Sequence, residues 1–218
     1  MTNIYSWKDK SFLPTPFGKD YIDNEDNIDS LIEIFMNNYS HVKAYHLCRP
    51  ISIESYRDNG IKIGSTELLI KNANDILNKL NINITKNKIH SVLNELGYRE
   101  GNLYLALDDN YMLKNAGHYA IYGSERLIAV FERLGISKEK LKTVGKPTVI
   151  HINLPIESIY TEDLRSLVIE INNSIIDMNK FSNFAFLQNK SISPNLICEF
   201  VHPNEIVNWH CDRRIYRV

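Results

Sequence analysis

Apolar residues recur every three to four positions in several stretches of this chain and alternate with polar ones in the stretches between. Ile28, Leu31, Ile32, Ile34, Phe35 and Met36 predict a helix over 28–39, with acidic residues early, where the helix dipole favours them. The apolar run Ala44-Tyr45-His46-Leu47-Cys48-Arg49 predicts a strand that Pro50 ends. A short helix over 51–61 is expected to stop at Asn59-Gly60. A longer one over 67–80 has Thr66 as its candidate cap, and a third runs over 85–96 up to Gly97.

The second half opens with a strand at 102–107 and a turn at Asp108-Asp109-Asn110. Helices follow over 111–122 and over 124–134, the latter with Ser124 as N-cap. The proline-bracketed run 147–155 predicts a strand, 161 to about 178 a helix, 184–187 a strand and 196–201 a last strand. Strands and helices mix without regular βαβ alternation, which predicts an α+β fold. The chain reads as one domain, 1–218, with 1–26 an irregular N-terminal arm around the turn cluster Pro14–Gly18.

Two ionisable residues sit inside apolar strand runs far apart in sequence: His46, and Glu199 in Leu196-Ile197-Cys198-Glu199-Phe200-Val201. Such a group is costly to bury unless a partner or ligand satisfies it, so the pair is expected to converge on one cleft. The bland alternatives stay open. His46 is then a hydrogen-bonded structural residue, Glu199 pairs with Arg213 or Arg214, and Arg49 pairs with Glu54 or Asp58.

At 218 residues and 44% hydrophobic, the chain has enough apolar material for one core. A net charge of −1 argues against a globally basic nucleic-acid binder and allows a local basic surface. The clearest basic clusters are Lys138-Lys140-Lys142-Lys146 and Arg213-Arg214-Arg217. Three cysteines, Cys48, Cys198 and Cys211, with no close metal-type pair, suit a reduced, cytoplasmic setting. His202, His210 and Cys211 near Cys198 lack the second close ligand pair of a structural zinc site, so no metal is expected. The N-terminus lacks the basic-then-apolar order of a secretory signal. No apolar run approaches the roughly 18 residues of a membrane span, so no membrane partner is expected. Neither a Gly-x-Gly-x-x-Gly nor a Walker sequence is present. Ser124 is not in a Gly-x-Ser-x-Gly elbow. Cys48 shares a strand face with His46, which leaves a Cys–His nucleophile geometrically open.

In order, Tyr45-His46, Gly60-Ile61, Leu103-Tyr104-Leu105-Ala106, Ala116-Gly117-His118-Tyr119 and Glu199-Phe200-Val201-His202-Pro203-Asn204-Glu205-Ile206 resemble the ADP-ribosyltransferase family, most closely its His-Tyr-Glu branch. The resemblance implies a split mixed or antiparallel β-sheet core with flanking helices. It also implies NAD as co-substrate and transfer of ADP-ribose to a macromolecular acceptor, RNA, DNA or protein. A toxin or anti-phage defence effector held by an antitoxin or regulatory protein would fit that branch.

By resemblance, Glu199 would stabilise the positive charge that develops on the ribose as nicotinamide leaves. His46 would hold the adenosine-side ribose. Tyr104 and Tyr119 would wall the nicotinamide, with Tyr122 in reserve, and Arg49 would take the pyrophosphate. Two rivals keep the fold. One is an RNA 2′-phosphotransferase-like enzyme, which calls for a basic surface. The other is a catalytically inert module that senses NAD or ADP-ribose and binds a partner, favoured by Cys48, Arg49 and Ala116 standing where relatives carry other residues.

Overall fold

The strand that carries His46 is the axis of the fold. In the computed structural model, which describes residues 3–8, 25–97, 101–175, 182–208 and 213–218, it is β2 (His41–Cys48). β1 (Ile4–Tyr5) adds to its start in parallel. β3 (Leu103–Ala106) is registered with it at the single pair Tyr45↔Ala106. β4 (Thr148–Pro155) pairs antiparallel along its whole length, from His41↔Pro155 to Cys48↔Thr148. β5 (Ala185–Gln188) lies outside β3, and β6 (Ile197–Val201) lies outside β4. The sheet therefore reads β5-β3-β2-β4-β6, antiparallel except for β1.

Helices pack on both faces of this sheet, as the alternation along its strands demands. Val42, Ala44, Ile150, Ile152 and Leu154 bury one face under α1 (Glu25–Asn38) and α8 (Thr161–Ile175), through Leu31, Phe35, Leu164, Leu167 and Ile171. Full burial of a side chain such as Ile150, at 0% exposure, is worth about 1.5–3 kcal/mol. Tyr45, Leu47 and Val149 bury part of the other face among α3 (Thr66–Lys79), α4 (Lys86–Glu95) and α7 (Glu125–Arg133).

Local capping fixes several helix starts. Ser65, one residue before the expected Thr66, accepts from Leu68 N, and Ser124 accepts from Leu127 N as expected. The short α2 (Glu54–Asn59) ends at Gly60, whose φ of 69° suits glycine. The single helix expected over 111–122 is instead two, α5 (Asp109–Asn115) and α6 (His118–Tyr122). They break at Gly117, where any Cβ would run into the Val207 carbonyl. That carbonyl belongs to a hairpin which the hydrophobic pattern did not predict, β7 (Glu205–Asn208) with β8 (Arg214–Arg217). Most of the N-terminal arm lies outside the described residues, as does the expected helix beyond 175. Among the described residues, no helix is long and apolar enough to cross a membrane.

Candidate functional site

Register decides which side chains share a face. Tyr45 on β2 pairs with His151 on β4, and His151 pairs with Glu199 on β6, so these three project from the same side of the sheet. His46 is one residue on from Tyr45, in the row His46–Ile150–Phe200, and so projects from the opposite side. His46 and Glu199 therefore do not converge, which corrects the expectation that placed them in one cleft.

What faces Glu199 is His151. Its Nδ1 lies 3.0 Å from Glu199 Oε2, an ion-pair contact when the ring is protonated, and its Nε2 lies 4.0 Å from Asp109 Oδ2. The Asp109 carboxylate is held at its other oxygen by Lys8 Nζ at 2.6 Å, and the Lys8 ammonium sits 5.5 Å from the centre of the Tyr45 ring. Tyr45 and His151 meet edge to face at 4.9 Å. A β-bulge between His151 and Ile152 lets β6 carry Cys198 as an extra residue beside Glu199. Cys198 Sγ accepts from Lys43 Nζ at 3.1 Å. While the Leu47 end of this face is packed under helices, the Lys43–His151–Glu199 end is polar.

Electrostatics divide this cluster into a buried and an open half. The His151 side chain is 13% exposed, and burial holds its imidazole below the ordinary histidine value. The Glu199 and Asp109 carboxylates pull that value up, and Lys43 and Lys8 push it down. Glu199 is 60% exposed, so its carboxylate touches His151 through one oxygen and is otherwise presented to solvent. Chemically, this is an accessible carboxylate beside an imidazole that can take up or release a proton.

The remaining expected residues are distributed elsewhere. His46 Nδ1 donates to the Tyr104 carbonyl at 3.2 Å, bridging β2 and β3 beyond their single registered pair. Burial holds this imidazole low as well, with that bond acting the other way. Tyr104 is 64% exposed and is on the Glu199 face by parity with Ala106. Three strand spacings separate it from Glu199, about 14 Å at roughly 4.8 Å each. The two cannot border one small ring. Tyr119 is half-buried, its ring tilted against that of His118 with centres 4.1 Å apart. Burial first, then Glu125 and Tyr104, push its hydroxyl up.

Arg49 and Tyr122 are both engaged within the fold. Arg49 donates through Nε to Val144 O at 2.9 Å, through one terminal nitrogen to Ala120 O at 3.2 Å, and through the other to Lys142 O. Its guanidinium fork is spent on carbonyls of the fold, not on Glu54, which pairs with Arg57 at 2.9 Å. Tyr122 is 1% exposed, with its hydroxyl between Glu139 and Asn208. Burial pushes the Cys48 thiol up to about 12, which disfavours the thiolate that a nucleophile needs. His202 donates through Nδ1 to Pro147 O at 2.9 Å, while His210 and Cys211 of the imagined zinc set lie outside the described residues.

No family model, curated protein or solved structure matches this chain. The site thus rests on its own geometry. His151, Asp109, Lys8 and Lys43 were not singled out from the sequence. For His151 the signal was present, since it is an imidazole within the apolar run 147–155, just as His46 is within 44–49.

Proposed function

We propose that this chain is an NAD-dependent ADP-ribosyltransferase of ADP-ribosyltransferase-like fold, with Glu199 and His151, not Glu199 and His46, as its working pair. The observation that carries the reading is the exposed Glu199 carboxylate lying 3.0 Å from a partly buried imidazole. The ordered motifs from Tyr45-His46 to Glu199 support it. So does the arrangement of the His46 strand beside the Tyr104 strand, the two parting where His46 grips the Tyr104 carbonyl.

In this reading the bond from ribose C1′ to the nicotinamide nitrogen breaks, and nicotinamide leaves with the bonding pair as a neutral base. Glu199 stabilises the positive charge left on the sugar. An acceptor heteroatom bonds to C1′ and gives its proton to Glu199, a general-base contribution of about 10²- to 10⁴-fold. His151 is a positioning residue that fixes the carboxylate. His46 braces the Tyr104 strand, and Arg49 and Tyr122 hold the fold, so recognition of the adenosine half falls to other groups.

One observation favours a second reading, the inert NAD- or ADP-ribose-sensing module. Of the expected grip, His46 lies on the far side of the sheet from Glu199, and Arg49 is committed to carbonyls. Incubating the protein with NAD and cell extract separates the two. The enzyme releases nicotinamide and labels an acceptor, whereas the module binds NAD in calorimetry without turnover. Neither release nor binding overturns both.

A further inference from the structure

The basic clusters at 138–146 and 213–217 are far apart in sequence and meet in the fold. Lys138–Thr143 forms a 3-10 turn against α6, and the β7–β8 hairpin packs on the same helix. Tyr122 is the joint: its hydroxyl donates to Glu139 Oε1 at 3.1 Å and accepts from Asn208 Nδ2 at 3.0 Å. Asn208 pairs with Arg214, so Arg214 leaves the hairpin on the side that carries Asn208 to Tyr122. Lys138 and Lys142 lie 5.5 and 5.1 Å from the centre of the Tyr122 ring, and Lys142 lies 5.7 Å from that of Tyr216.

Segments 138–146 and 213–218 together hold seven basic residues and one acidic, in a chain whose net charge is −1. The charge is therefore concentrated here against the overall balance. Lys142 is taken up by Glu139 at 2.5 Å and Arg217 by Glu205 at 3.2 Å. Lys140, Lys146 and Arg214 are exposed and belong to neither pair. A cleft of about 300 Å³ opens beside the turn, lined by Ile51, Lys79, Thr143, Val144 and Gly145, and it adds a further cation.

We propose that this surface binds the phosphate backbone of a nucleic acid. Spaced, solvated cations on two elements locked together through a tyrosine suit a chain of regularly spaced phosphates, and the binding is then driven by release of counterions. The inference does not rest on the NAD reading. If both hold, nucleic acid is the acceptor class.

The test is fluorescence anisotropy with labelled single-stranded RNA and DNA of about 20 nucleotides, and with labelled polyglutamate, on the full chain. Contact with about four phosphates predicts an affinity loss of about 50-fold between roughly 50 and 200 mM salt. Lys140→Glu with Arg214→Glu is expected to weaken binding at least about tenfold, while Lys88→Glu on α4 leaves it unchanged. If the double reversal lowers the melting temperature, Lys140→Gln with Arg214→Gln replaces it and is expected to weaken binding in the same direction. Absence of binding at low salt, binding indifferent to these variants, or equal binding of polyglutamate overturns the proposal.

Discussion

His151 and Glu199 face each other across β4 and β6 with imidazole Nδ1 3.0 Å from carboxylate Oε2, and the carboxylate is the exposed member of the pair. Glu199 raises the proton affinity of His151 against the opposing effect of burial. Glu199→Gln removes that charge and is expected to move the His151 titration further below the ordinary histidine value. Histidine ring NMR against pH reads this directly. An upward or absent shift contradicts the contact.

Stability should fall on acidification. His46 and His151 both have folded values below the unfolded value of about 6.5, so below that pH the unfolded chain binds more protons than the folded one. Their stabilising contribution is fully present above about pH 6.5 and is lost as the pH falls through the folded values. Melting temperatures at a series of pH values should decline across this window, and less steeply in His46→Gln. A flat profile contradicts the burial of both rings.

Arg49 should matter to folding and not to ligand. Arg49→Ala leaves the Val144, Ala120 and Lys142 carbonyls without their donor and is expected to cost about 2–4 kcal/mol by urea unfolding. Arg49→Lys recovers only part, because an ammonium cannot reproduce the planar fork. NAD affinity that falls while stability holds would return Arg49 to the pyrophosphate role.

The cysteines should separate by reactivity. Cys198 is exposed, whereas Cys48 is partly buried with its thiol pushed up to about 12. Peptide mapping after brief alkylation at neutral pH is expected to find Cys198 modified and Cys48 intact until the chain is unfolded. Rapid modification of Cys48 would reopen the Cys–His alternative.

Much of the fold was legible in local pattern. The strands around His46, Tyr104, His151 and Glu199 and the helices after Ser65, Thr85 and Ser124 follow from periodicity and capping. The break at Gly117 was not legible, because the Val207 carbonyl that forbids a side chain there arrives from the C-terminal hairpin. The site failed for a similar reason. Parity along β2 sets the side taken by His46, but the side taken by Glu199 depends on its pairing with His151 and on the bulge at Cys198, neither of which is a local property. Arg49 read as a phosphate ligand because nothing near it in sequence announces carbonyls some 70 to 95 residues away.

The most direct test is nicotinamide release from NAD by the wild-type protein, Glu199→Gln, His151→Asn and His46→Gln, each shown to be folded. Glu199→Gln is expected to lower the rate about 10²- to 10⁴-fold. His151→Asn should lower it less and change its pH profile, and His46→Gln should leave it within a few-fold of wild type. Full activity in Glu199→Gln, or a loss confined to His46→Gln, would contradict the assignment of the chemistry to the Glu199–His151 face.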